Sequence, residues 1–272
     1  MTSGSLIIAL VLAAVLGLVI GSFLNVVVYR VPVGIPLVRE SRCPRCDARV
    51  RPQHNVPIVS WLVLRGRCAG CDEPISVRYP LVELATAVLF AAVTGWALAQ
   101  PQAPSAATWL VLAAFLYLAA ISIALALIDL DTHRLPDGIV LPAYLVAGAL
   151  LTAAAVVSSE WDSLLRAGIG MVALYAFYAT LRLIRPGGMG GGDVKLSGVL
   201  GMYLGWLGWP SLIVGAFGAF LLGGAFGVAL LLGRRANRST AIPFGPWMLV
   251  GAWAGILAGP PLSAWYLGIV HA

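Results

Sequence analysis

Long apolar runs, broken by short polar connections, dominate the chain. Eight of them approach the roughly 20 residues a helix needs to cross a hydrocarbon core: residues 5–29, 81–99, 107–128, 137–157, 164–184, 194–208, 211–233 and 244–270. The sixth is short. One long polar segment, residues 31–80, separates the first run from the second. No repeat of fixed period is visible. The pattern predicts an all-α polytopic membrane protein with about eight transmembrane helices. Its expected parts are a first transmembrane helix (1–30), a cytoplasmic loop (31–80) and a seven-helix membrane domain (81–272).

Composition agrees with this pattern. The chain is 60% hydrophobic and 10% charged, with a mean hydropathy of +0.94. Its 31 glycines point to helices packed closely through small residues. Nothing suggests a large soluble domain. The first run is expected to be a retained helix rather than a cleaved signal: Met1–Ser5 carries no positive charge, and no small-residue cleavage site ends the run.

Charge placement predicts orientation. Nine arginines, from Arg30 to Arg78, fall at or within the first loop. Arg134, Arg182, Arg185, Lys195, Arg234, Arg235 and Arg238 flank later connections. With eight spans and the N-terminus outside, only Arg166 of the 17 basic residues departs from the positive-inside rule. The pI near 9.5 then reflects topology. Nucleic-acid binding is excluded on the same ground, because the basic residues are spread among membrane loops instead of along one groove-binding element. The first-loop arginines also suit contact with an anionic leaflet, while Arg78 and Glu83 suit an interfacial salt link.

All four cysteines lie in that loop as Cys43-Pro-Arg-Cys46 and Cys68-Ala-Gly-Cys71, with 21 residues between the pairs. Two such turns complete a tetrahedral four-thiolate site, so the loop reads as a small zinc-ribbon-like unit. About 50 residues cannot bury a sizeable core, and a metal would supply folding energy. Cytoplasmic placement argues against stable disulfides. Four thiolates leave no open position, so the zinc is expected to be structural.

Asp129 and Asp193 interrupt the apolar pattern most sharply. Asp129 closes the third run and Asp193 opens the sixth, at the same predicted membrane face. An ionisable group at membrane depth costs about 2.5–3.5 kcal/mol on insertion scales and is a functional candidate by default. Two such acids suggest a carboxylate pair that shares a proton and activates water. Asp131 is read as interfacial and solvated. Asp137, next to a Pro136 expected in the first helical turn, is read as a helix-dipole partner. Gly190, Gly191 and Gly192 precede Asp193 and would let an extended polypeptide approach the backbone; a flexible connection capped by Asp193 is the alternative. Lys195, the only lysine, anchors at the interface or modulates Asp193. His54, His133 and His271 form no triad with a serine. A proton-relaying transporter and a non-catalytic assembly factor are the rival classes.

The chain resembles the bacterial prepilin peptidases, or type IV leader peptidases, which are GxGD-type aspartic proteases of the membrane. The resemblance rests on Gly21-Ser-Phe-Leu-Asn25-Val-Val-Val-Tyr29-Arg30, both CxxC pairs, Ser60-Trp61-Leu62, Arg65-Gly66-Arg67-Cys68, Arg78-Tyr79-Pro80-Leu81-Val82-Glu83 and Asp129 with Leu135-Pro136-Asp137. It extends through Gly190-Gly-Gly192-Asp193 to Ile242-Pro243-Phe244-Gly245-Pro246. It implies that Asp129 and Asp193 are the catalytic pair. It implies cleavage of a short basic leader, after a glycine, from prepilins or pseudopilins at the cytoplasmic face of the inner membrane. Many members with the cysteine loop also methylate the new N-terminus with S-adenosylmethionine. No G-x-G-x-x-G marks a donor site in this chain. A presenilin-like peptidase for other membrane substrates is the nearest rival within the class.

Overall fold

The structure is a computed structural model that describes residues 3–43, 45–99, 104–233 and 243–270. Arg234, Arg235, Arg238, Ile242 and His271 lie outside the described residues. Among those described, the chain is helical: α1 (Ser3–Arg30), α2 (Val59–Val63), α3 (Arg78–Leu98), α4 (Ala106–Thr132), α5 (Asp137–Ser158), α6 (Trp161–Ile184), α7 (Gly191–Leu207), α8 (Trp209–Leu232) and α9 (Gly245–Val270). An apolar run in lipid must satisfy its backbone polar groups within itself, which selects the helix.

Among the described residues, seven helices are long and apolar enough to cross a membrane: α1, α3, α4, α5, α6, α8 and α9. The eighth, α7, has 17 residues. Its course accounts for the difference from the predicted eight. It runs antiparallel to α6, with Gly191 against the Arg182 guanidinium and Gly205 against the Arg166 carbonyl. It therefore covers the depth that α6 covers between Arg166 and Arg182. It is also almost wholly enclosed, with thirteen of its residues buried.

The chain divides into two compact units. The first comprises Met1–Pro104 and Phe115–Ala124, and the second Ser105–Ala114 and Leu125–Ala272. In the first, α1 and α3 pack antiparallel. Gly17 meets the backbone of Ala87, and Gly21 that of Glu83. In the second, α8 and α9 pair in the same way, through Gly251 against Ala219, Gly255 against Ser211 and Gly215, and Gly259 against Ser211. Those three glycines of α9 recur every four residues and form one face. Lipid tails are as apolar as leucine, so helix association depends on such close approach instead of on burial from water.

Local signals set the helix ends. Ser105 and Thr108 form a reciprocal capping box at the start of α4. The helix continues past Asp129 and ends at Thr132, where His133 adopts a left-handed conformation and donates its N–H to the Asp129 carbonyl. Pro136 is the N-cap of α5, extended at ψ 131°, and Asp137 is the first helical residue. The expectation that Pro136 would occupy the first turn is off by one position, because an extended residue is needed to turn the chain into α5.

A Cβ on Gly255 would meet the Ser211 carbonyl and the Gly215 backbone. Gly255→Val is expected to separate α8 from α9 and to destabilise the protein by about 1–3 kcal/mol. Gly148→Ala, where a Cβ meets nothing within 4 Å, should be neutral or gain up to about 1 kcal/mol. Thermal unfolding in detergent compares the two.

Candidate functional site

Asp129 and Asp193 are both buried, at 4% and 9% exposure. Each is anchored through one oxygen to a glycine amide. Asp193 stands at the third position of α7, and its Oδ2 accepts the N–H of Gly190 at 2.9 Å. Asp129 Oδ2 accepts the N–H of Gly245 at 3.0 Å. Gly245 is the first residue of α9, so both carboxylates sit against helix N-termini, where the macrodipole favours negative charge.

Leu135 links the two acids. A Cβ on Gly192 would lie 2.7 Å from Leu135 Cβ, and one on Gly245 would lie 3.3 Å from Leu135 Cδ2. The same buried leucine thus packs on the residue preceding Asp193 and on the residue that holds Asp129. The two carboxylates are close enough to interact electrostatically. The topology brings together two acids 64 positions apart.

The neighbouring side chains define the surroundings. Tyr178, 2% exposed, lies within electrostatic reach of Asp193. Its ring and that of Phe244 pack on Phe220 with centroids 5.4 and 5.3 Å apart. Lys195 is held by α5 at both ends. Its Nζ donates to both Asp137 oxygens at 2.8 Å, and its carbonyl accepts the Tyr144 hydroxyl in a notch left by Gly198. Asp137 is therefore an ion-pair partner as well as a first-turn residue. Asp131 is exposed, on α4 two residues beyond Asp129. Gly190 is exposed, whereas Gly191 and Gly192 are partly covered.

Tyr144 and Tyr178 lie at the candidate site without having been singled out in the sequence, and Leu135 and Gly245 appeared there only inside motifs, with no role given to them. For Gly245 the contact is a main-chain N–H, which leaves no residue-type signature. The only available signal was Pro243-Phe244-Gly245-Pro246 ahead of an apolar run.

The cysteine loop forms a separate centre in the first unit. Its two turns share one backbone pattern. Cys43 N–H donates to the Ala48 carbonyl and Asp47 N–H to the Cys43 carbonyl; Cys68 N–H donates to Glu73 and Asp72 N–H to Cys68. Asp47 and Asp72, each just after a CxxC, have φ of 55° and 56°. All four Sγ atoms lie within 4.8 Å of one another, and Cys43 Sγ is 3.8 Å from Cys71 Sγ. A tetrahedron with Zn–S of about 2.3 Å has edges of about 3.8 Å, so the donor set and its spacing fit zinc. Backbone N–H groups of Cys46 and Arg45 lower the Cys43 thiol to about 7, whereas Cys71, despite the Glu73 N–H, is raised to about 12 by the neighbouring thiols and burial; the four thiols favour one thiolate among them, and a bound cation would be needed for four. Arg30 closes the approach to this loop. Its buried guanidinium donates to the carbonyls of Pro36, Leu37, Arg39 and Glu40.

Purified protein is expected to hold about one zinc per chain by elemental mass spectrometry, and Cys43→Ser or Cys68→Ser to lose most of it. Chelation should make residues 34–77 sensitive to limited proteolysis and leave the helices intact.

Residues 15–97 match the bacterial peptidase A24 N-terminal domain, and residues 116–228 match the type IV leader peptidase family. A prepilin leader peptidase/N-methyltransferase of Aeromonas hydrophila is 38% identical, covering 92% of this chain and 91% of its own. Proteins of the same name from Stutzerimonas stutzeri and Neisseria gonorrhoeae are 35% and 37% identical; they cover 94% and 90% of this chain, and 92% and 89% of their own. No solved structure matches. With relatives this similar along nine-tenths or more of its length, the chain belongs to the type IV leader peptidase family.

Proposed function

We propose that this protein is a multi-pass inner-membrane aspartic endopeptidase that removes the short basic leader of prepilins or pseudopilins, cutting after glycine at the cytoplasmic face. Asp129 and Asp193 are its catalytic dyad. The observation that carries the reading is the pair itself: two buried carboxylates, in electrostatic reach of each other, each tethered through Oδ2 to a glycine amide.

The geometry supports a mechanism without a covalent intermediate. Two close carboxylates do not both ionise readily, so the pair holds one proton. A main-chain N–H at each Oδ2 favours negative charge there, which places the shared proton on an Oδ1. The ionised acid takes a proton from water as its oxygen attacks the scissile carbonyl carbon. The protonated acid donates to the carbonyl oxygen, giving a tetrahedral diol. Collapse of the diol breaks the C–N bond, and a proton returns to the leaving amine. The Gly190–Gly192 backbone would receive an extended substrate beside Asp193. Lys195, clamped by Asp137 and Tyr144, holds the start of α7 against α5.

The domain assignment follows the same reading. The first helix and the cytoplasmic zinc loop (31–80) precede a seven-helix peptidase domain (81–272), with the N-terminus outside. The zinc is structural. The relatives' names include N-methyltransferase, and we extend that activity to this chain as methylation of the newly exposed N-terminus, with S-adenosylmethionine supplying the methyl group.

Asp129→Asn or Asp193→Asn is expected to lower cleavage of a prepilin by purified enzyme about 10²–10⁴-fold, the usual range for losing an acid–base group. Asp131→Asn and Asp137→Asn should retain most activity. In Gly245→Ala, the new Cβ would lie 2.7 Å from Asp129 Oδ2, and turnover should fall about tenfold while the protein stays folded. Mass spectrometry of the product, with and without S-adenosylmethionine, reports the cleavage position and methyl addition together. Normal cleavage by Asp129→Asn would end the dyad assignment.

A further inference from the structure

The loop between α1 and α3 presents an apolar stripe that the first unit leaves uncovered. Val59, Leu62 and Val63 stand at i, i+3 and i+4 on α2, hence on one face. They are 54%, 61% and 74% exposed. The opposite side of α2 is occupied. Ser60 is buried, and the Trp61 indole N–H donates to the Ile75 carbonyl at 3.0 Å while its ring covers Gly66.

The height of this stripe is set by a membrane helix. Ile58, the residue before α2, donates its N–H to Glu83 Oε2 at 2.7 Å. Glu83 is buried in the second turn of α3, five residues after the helix begins at Arg78. α2 is thus pinned where α3 enters the bilayer. Two exposed arginines, Arg65 and Arg67, follow the stripe directly. Arg42, Arg45 and Arg49 of the same loop pair with Glu40, Asp47 or Glu73. Among the described residues, neither Arg65 nor Arg67 has an acidic partner.

We infer that this face is a lipid-docking surface for an anionic leaflet. Val59, Leu62 and Val63 enter the boundary between headgroups and acyl chains, and Arg65 and Arg67 contact lipid phosphates. An apolar stripe held at the entry level of a spanning helix, bordered by unpaired guanidinium groups, matches a surface that is apolar just below and negatively charged above. Such docking holds the four-cysteine loop at a fixed height over the membrane. It depends on α3 spanning the bilayer and not on the proposed activity.

The test is hydrogen exchange on the full-length protein in nanodiscs of phosphatidylcholine, with or without phosphatidylglycerol. Amides of residues 59–67 should exchange about tenfold more slowly in the anionic discs. Leu62→Ser/Val63→Ser and Arg65→Gln/Arg67→Gln should each abolish that slowing while retaining zinc, which reports that the loop stays folded. A benzoylphenylalanine replacing Val63 should cross-link to lipid on irradiation. Equal exchange in both discs, or no lipid adduct on irradiation, overturns the assignment. Slowing that appears only when a pilin-like polypeptide is added overturns it in favour of a protein-docking face.

Discussion

The structure depends on a small set of glycines at which one backbone comes against another element. In lipid there is no gain from moving apolar side chains away from water, so helices associate by how closely they approach. The antiparallel pairs α1–α3, α6–α7 and α8–α9 each close through such positions. The same device builds the catalytic site of the proposal. Gly190 and Gly245 offer bare amides to Asp193 and Asp129, and Gly192 and Gly245 leave the space that Leu135 fills. A side chain at any of these positions would move a carboxylate or a helix.

Burial alone would make both acids expensive. Each recovers part of that cost through a fixed N–H donor and the positive end of a helix. In the proposed mechanism the arrangement also divides each carboxylate into a held oxygen and a reactive one. Asp137 and Lys195 perform a different task nearby. Their ion pair is half exposed, so its electrostatic contribution is modest. Its value is geometric, because with Tyr144 it ties α7 to α5 from both ends of Lys195.

The cysteine loop solves the opposite problem. It is polar, short of core and joined to membrane helices at both ends. Four clustered cysteines able to hold a metal ion, the Arg30 guanidinium gathering four carbonyls, and Glu83 receiving the Ile58 amide take the place of a hydrophobic centre. Arg30 illustrates the limit of reading charge from sequence. By its position after an apolar run it marks topology; in three dimensions it is buried and organises the chain that follows.

What the sequence by itself determined is whatever depends on residue type and local spacing. Apolar length located the eight long helices to within a few residues. Two CxxC turns marked a candidate metal site, and the fold does bring their four thiols together. Asp129 and Asp193 stood out because charge in an apolar run is costly anywhere. The tertiary structure alone decided what meets them. Gly245 lies 116 positions from Asp129, and its contribution is a main-chain N–H that every residue but proline possesses. Tyr144 reaches a backbone carbonyl of Lys195, and Leu135 is one leucine among many. Nor could local pattern reveal that α7, too short to be an obvious span, would lie enclosed along α6. Such contacts are settled by which backbones can approach, and that is a property of packed helices rather than of any one of them.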